Sequence, residues 1–188
     1  MGRIVIKPSW EDFAPEPDDI IIDIDPGMAF GTGNHPTTKL CILALQDYIS
    51  GGENVLDMGT GSGILAMAAA KLGAGSIVGL DIDTVAVEVA RENVANAGLA
   101  DKIEVGRAEN PQVYEGQADI VVANIIANVI IAMACDLAAK VKPGGLLIAS
   151  GIINDRAGEV RQSLEAAGLS LKEQREDAEW VALILTRE

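Results

Sequence analysis

Val55-Leu56-Asp57-Met58-Gly59-Thr60-Gly61-Ser62-Gly63 is the stretch that decides the fold. Its apolar start reads as a buried strand, its glycines as a tight turn, and the apolar run from Ile64 onward as a helix. Glycines in such a turn let the backbone take positive φ and approach a ligand closely, while the helix start offers free N–H donors. A dinucleotide fingerprint G-x-G-x-x-G needs a third glycine at position 64, where Ile64 stands; the spacing is G-x-G-x-G, with Asp57 two residues ahead of Gly59. That pattern favours S-adenosylmethionine over NAD. This cofactor has no pyrophosphate to neutralise, and its ammonium can be attracted by Asp57, directly or through water.

Outward from this turn the pattern alternates. Strands are predicted at 53–58, 76–81, 102–106, 118–123 and 145–150, separated by helices near 62–72, 84–97, 127–140 and 156–167. Ile120-Val121-Val122 and Leu146-Leu147-Ile148 are continuously apolar, as expected when helices cover both faces of a parallel sheet. The expected fold is a doubly wound α/β domain. After Gly168, Leu169 to Gln174 and Trp180 to Thr186 flank a charged turn at Arg175-Glu176-Asp177 and predict a terminal antiparallel hairpin, its last strand apolar enough to enter the sheet. Upstream, Ile20-Ile21-Ile22 is an apolar run, Asp25-Pro26-Gly27 a turn and Phe30 to His35 a glycine-rich loop. Pro36 suits the first position of a helix reaching Tyr48. Residues 1–19, with Pro8, Pro15 and Pro17, read as an extended lead-in or linker that docks through Trp10 and Phe13, and residues 20–188 as the catalytic domain.

The chain has 188 residues, 49% of them hydrophobic, which is enough for one domain with its own core and excludes a disordered or coiled-coil chain. Its formal net charge of −14 repels a phosphate backbone, so no direct nucleic-acid partner is expected. The charge has two readings: solubility, or steering of a basic partner. Cys41 and Cys135 lie in apolar helical patterns without metal-ligand spacing and read as free buried thiols, so neither a metal nor a disulfide is expected. No run fits an export signal or the ~18 apolar residues of a membrane span, which predicts a cytoplasmic protein without a membrane partner. A monomer is expected.

Asp81 stands 22 positions after Gly59 at the end of the second strand of the alternating series, where a carboxylate can accept both ribose hydroxyls. Asp83 is read as a helix cap. Ligands in such sheets sit outside the carboxyl ends of the strands, so Asn124 is placed to face the reacting group; otherwise it is a polar cap at a strand end. An amide can accept hydrogen bonds from an incoming amine, but it is not a strong base. His35, the sole histidine, is either a general base or a stabiliser of the loop and helix start. Phe30 is either a packing aromatic or a lid over the ligand.

Asp25-Pro26-Gly27-Met28-Ala29-Phe30-Gly31-Thr32-Gly33-Asn34-His35-Pro36-Thr37-Thr38 resembles the signature loop of the PrmA-type ribosomal protein methyltransferases, which modify large-subunit ribosomal protein eleven. Asp57 to Ile64, Gly79 to Asp83 and Val121 to Ala127 follow in that family's order, so the resemblance runs from Pro8-Ser9-Trp10 onward. It implies a class I S-adenosylmethionine-dependent methyltransferase fold, Rossmann-like, with a mostly parallel seven-stranded sheet and a C-terminal antiparallel hairpin. It implies cofactor contacts at Thr38, Gly59, Asp81 and Asn124, with Phe30 and the adjoining loop closing over the methyl donor. With Asp57 and Gly61 from the glycine turn, these residues make the expected cofactor site, and Asn124 is the candidate catalytic residue. The implied activity is protein N-methylation of a basic ribosomal protein. Members of the family carry an N-terminal recognition domain, and this chain begins about where the interdomain linker falls. The expected alternatives are therefore another protein or small-molecule substrate, or a cofactor-binding module that needs a recognition domain.

Overall fold

The computed structural model describes residues 4–8, 10–24 and 35–188. Seven strands form one sheet: β3 (Asn54–Met58), β4 (Ser76–Asp81), β5 (Ile103–Arg107), β6 (Ala118–Asn124), β7 (Val141–Ile153), β8 (Leu169–Asp177) and β9 (Trp180–Arg187). Their order is β5-β4-β3-β6-β7-β9-β8, parallel from β5 through β7 and antiparallel where β9 joins β7 and β8. The sheet and terminal hairpin are as expected, and the last strand does enter the sheet. Reversal of the chain order between β3–β4–β5 and β6–β7 opens a crevice at the carboxyl ends of β3 and β6.

Apolar residues on both faces of each central strand create two cores. Val55, Ile77, Ile120, Val122 and Ile148 pack on the face covered by α1 (Pro36–Tyr48), α2 (Ile64–Lys71) and α3 (Thr84–Asn96). Leu56, Val121 and Leu147 face Ile130, Leu137 and Leu164 of α4 (Ala127–Ala132), α5 (Ala134–Lys140) and α6 (Asn154–Ala166). Helix α2 is buried along Ile64 to Ala70, and its four alanines let it lie close to its neighbours. Asp83 caps α3, accepting from the Val85 N–H at 2.9 Å, as expected. Among the described residues no helix is long and apolar enough to cross a membrane.

Four local expectations change. The lead-in contains β1 (Ile4–Lys7), paired in parallel with β2 (Ile20–Asp23); Ile4, Ile22 and Ile24 are buried in the first core, whereas Trp10 and Phe13 are exposed. Apolar side chains, not the prolines, therefore decide what this segment does. The helix expected over 127–140 is broken at Met133, and Met133 lines the cavity described below. Cys135 is exposed, because Ala134, Leu137 and Ala138 take the inward face of α5; Cys41 is buried. Finally, Arg175-Glu176-Asp177 is strand, not turn. Arg175 is held there by Glu173 at 2.8 and 2.9 Å and by Asp47 at 2.8 Å, which places charge on an edge strand that would otherwise invite pairing.

The turn falls at Ala178-Glu179, and Ala178 takes φ 55°, a left-handed conformation that costs a side-chain-bearing residue about 1–2 kcal/mol. Its carbonyl accepts from Asn154 Nδ2 at 3.3 Å, and the Glu179 carbonyl accepts from the Asn154 N–H at 2.9 Å, so α6 holds the turn in place. Ala178→Gly should therefore raise stability by up to about 1 kcal/mol, relief of strain exceeding the greater freedom of the unfolded chain. Urea unfolding measures this; an unchanged or lower midpoint at equal slope would contradict the strain.

Candidate active site

The chain leaves β3 through a cradle of bare backbone. Gly59 and Thr60 both donate their N–H to the Leu80 carbonyl, at 2.7 and 3.0 Å, and the Gly63 N–H closes the turn onto the Thr60 carbonyl at 2.8 Å. Gly59 has φ +78°, and a Cβ built on it would stand 2.2 Å from Ile125 Cγ2, so only glycine lets the β3 and β6 turns meet. A Cβ on Gly79 would lie 2.9 Å from Thr60 Oγ1. From α3, buried Asn93 donates to the Ser62 carbonyl at 2.9 Å and fixes the far side of the turn.

A cavity of about 400 Å³ opens beyond these strand ends, within the size range of small-molecule and cofactor sites. Its lining includes Gly59, Thr60 and Gly61 of the cradle, Asp81 and Ile82 at the end of β4, and Thr38 and Asn124. Asp81 Oδ2 accepts from the Gly61 N–H at 2.9 Å and Oδ1 from the Asp83 N–H at 3.0 Å. A carboxylate has about four acceptor sites, so two amides orient the group and leave capacity for two hydroxyls. Ile82 is 57% exposed beside it, an apolar surface available to a flat ring.

Asn124 ends β6, paired in register with Ser150 of β7. Its Nδ2 makes a long contact of 3.5 Å to Thr38 Oγ1, while Oδ1 is buried and has no hydrogen-bond partner among the described residues. The segment after it is pinned by the Ile125 N–H, which donates to the Ser150 carbonyl at 3.1 Å. Gly151 admits this approach: a Cβ there would stand 2.4 Å from the Ile125 carbonyl.

Thr38 is presented by the first turn of α1. His35 caps that helix: Nδ1 accepts from the Thr37 N–H at 3.3 Å and lies 2.8 Å from Thr37 Oγ1. Its ring meets Trp180 edge-on at 4.7 Å, and Lys39 pairs with Asp177 at 2.7 Å, so the β8–β9 turn latches the helix start from both sides of Thr38. Of the two readings of His35, this geometry supplies the stabilising one.

Asp57 behaves differently from the other candidates. It does not line the cavity, although Met58, Gly59 and Thr60 after it do. Its side chain is 1% exposed; Oδ2 accepts from Thr60 Oγ1 at 2.7 Å, and Oδ1 has no hydrogen-bond partner among the described residues. Burial pushes its pKa up to about 6, against the Thr60 hydroxyl and the Ala66 amide, which favour the charge.

The fold thus brings Thr38, Gly59, Gly61, Asp81 and Asn124 to one cavity, sets Asp57 behind it, and Phe30 lies outside the described residues. Ile82, Glu109, Ile126 and Met133 line the cavity without having been singled out. Glu109 had a signal, since it follows the end of β5 as Asp81 ends β4. Met133 had none, because its placement depends on a helix break.

This crossover sheet, glycine cradle and strand-end acid define the class I S-adenosylmethionine-dependent methyltransferase fold. A methyltransferase structure from Pyrococcus furiosus superposes with TM-score 0.73 at 18% identity over 87% of this chain and 88% of that one, a likeness of fold alone. The profile of the family "Ribosomal protein L11 methyltransferase (PrmA)" matches residues 1–188, and the chain belongs to that family. The ribosomal protein L11 methyltransferase of Pelotomaculum thermopropionicum is 53% identical over 96% of this chain, and that of Geobacter metallireducens 52% identical over 97%. This chain covers 59% and 60% of those two relatives, about three-fifths of their length. The crystal structure of a ribosomal protein L11 methylase from Lactobacillus delbrueckii subsp. bulgaricus superposes with TM-score 0.93 at 34% identity, covering 100% of this chain and 96% of that one.

The raised Asp57 pKa carries a stability prediction. Between the unfolded value of 3.8 and about 6 the folded chain holds a proton that the unfolded chain has lost, so stability falls as pH rises through that window. The loss amounts to up to about 3 kcal/mol. Asp57→Asn cannot titrate, so its stability relative to the parent chain should climb by that order between pH 4 and pH 7.5 in urea titrations. A difference independent of pH would show that Asp57 is ionised throughout.

Proposed function

We propose that this chain binds S-adenosylmethionine in the cavity and is the catalytic part of a protein N-methyltransferase whose acceptor is an amino group of ribosomal protein L11. The observation that carries this reading is the buried Asn124 Oδ1, which has no donor among the described residues and lies beside Thr38 in the cavity lining. An unsatisfied buried acceptor costs about 1–3 kcal/mol, and the N–H of an incoming amine relieves that cost. The names of the family and of its relatives support the acceptor, and the net charge of −14 suits a basic partner. We also place the activity in the cytoplasm, where ribosomal proteins are handled, and expect a monomer.

The residues present fit the cofactor. Asp81 has acceptor capacity for a ribose, Ile82 offers an apolar face to a base, and the turn at Gly59 and Gly61 brings backbone close without side chains. When bound, S-adenosylmethionine supplies a methyl group activated by its sulfonium. Catalysis then rests on alignment of the amine with that methyl. A free lysine has a pKa of about 10.4, so presenting it neutral at pH 7 costs about 4–5 kcal/mol. The largely apolar lining disfavours the ammonium and offsets part of this cost. Asn124 Oδ1 accepts one N–H of the neutral amine and so aims its lone pair; Thr38, latched through α1, holds the amide in place. Asn124 orients and does not take the proton.

Calorimetry with S-adenosylhomocysteine should give binding to the parent chain and a loss of at least tenfold in Asp81→Ala. Asn124→Ala should lower turnover on ribosomal protein L11, followed with labelled cofactor, far more than it lowers cofactor affinity. An Asp81→Ala protein that binds as before removes the ribose assignment, and equal losses of turnover and affinity in Asn124→Ala reduce that residue to a binding contact.

A further inference from the structure

Asp57 is a buried carboxylate that the mechanism above leaves unused. It sits in β3 directly before Met58 of the cavity lining, and its side chain is tied to that lining by the 2.7 Å hydrogen bond from Thr60. A solvated acid at this place would be screened. At 1% exposure, with Oδ1 lacking a hydrogen-bond partner among the described residues, Asp57 acts through protein instead of water, where charge interactions persist over several ångströms and respond little to salt.

We infer that Asp57 is a specificity residue that distinguishes the sulfonium methyl donor from its thioether product by charge, from behind the cradle and without touching either ligand. The inference rests on the cofactor reading of the preceding subsection. The donor and the product share their ammonium, carboxylate, sugar and base; they differ in one methyl and one unit of positive charge at sulfur. Hydrogen bonds at Asp81 and the cradle cannot read that difference. A buried negative charge can, and it favours release of the product once the methyl has gone.

Among the described residues the charge has hydrogen-bond donors but no counter-ion. Cys41 of α1 faces it, a thiol that burial and Asp57 itself hold far above its ordinary range and hence neutral, with the Ser150 hydroxyl of β7 beside that thiol. Asp81 of β4 opposes its ionisation by repulsion, while the Thr60 hydroxyl and the Ala66 amide of α2 favour it. Its cross-strand partners, Gly79 on β4 and Val122 on β6, carry no charge. Among the described residues, none of the groups that act on it is cationic. A sulfonium in the cavity therefore draws Asp57 toward its ionised form, and binding of the donor expels a proton where Asp57 was protonated.

The experiment is calorimetry on the full chain with S-adenosylmethionine and S-adenosylhomocysteine from pH 5 to pH 8, in buffers of different ionisation enthalpy. The preference for the sulfonium over the thioether should grow on the order of tenfold across that range, as expected for one unit charge several ångströms away. Near pH 6 the sulfonium should release more protons than the thioether does. In Asp57→Asn the preference should be flat with pH and the extra proton release should vanish. Should that variant not fold, the proton release of the parent chain decides alone. Both ligands bound with a ratio independent of pH, or a pH dependence retained in Asp57→Asn, overturns this inference and leaves the cofactor reading standing. No binding of either ligand at any pH overturns both.

Discussion

The site depends on two stretches of backbone meeting with nothing between them. Gly59 lies where the turn after β3 runs against Ile125 of the turn after β6, and Gly151 lets β7 come up beneath the same Ile125. These two contacts bring three strand ends together at the crevice where the chain order reverses. The hydrogen bonds from Gly59 and Thr60 to the Leu80 carbonyl tie β4 into the same junction. A methyl group at Gly59 or Gly151 would have to displace backbone or a packed isoleucine, because a close-packed interior has no slack to absorb it.

Three carboxylates near this junction differ because their solvation differs. Asp81 is half-buried and oriented by two amides, Glu109 stands at the rim, and Asp57 is enclosed beside the Thr60 hydroxyl and the Ala66 amide. One residue type thereby serves as an oriented acceptor of hydrogen bonds, as part of a polar rim, and as a charge held back from water. The enclosed one is the most sensitive to what enters the cavity, since it is the least compensated.

Much of this architecture was legible in the chain itself. Continuous apolar strands such as Ile120 to Val122 required a sheet covered on both faces, and the spacing of Gly59, Gly61 and Gly63 with Asp81 further on located the crevice. Thr38 and Asn124, far apart in sequence, both line the cavity. What could not be read were features that depend on partners remote in sequence. Arg175 looks like a turn residue until Asp47, 128 positions earlier, is seen to hold it on a strand. Met133 lies in an unbroken helical pattern, yet it ends one helix and begins another. Asp57 reads as a cavity residue from its place in the glycine turn, and only the fold shows it buried behind Thr60.

The sequence by itself determined the element order, the glycine cradle and the acid at the end of β4, because periodicity, φ preference and strand-end placement are local properties of the chain. Only the tertiary structure decided which buried polar atoms lack partners among the described residues, Asn124 Oδ1 and Asp57 Oδ1, and that the first belongs to a cavity-lining residue and the second does not. Desolvation and hydrogen-bond satisfaction are set by neighbours brought from every part of the fold, and no local pattern of residues encodes them.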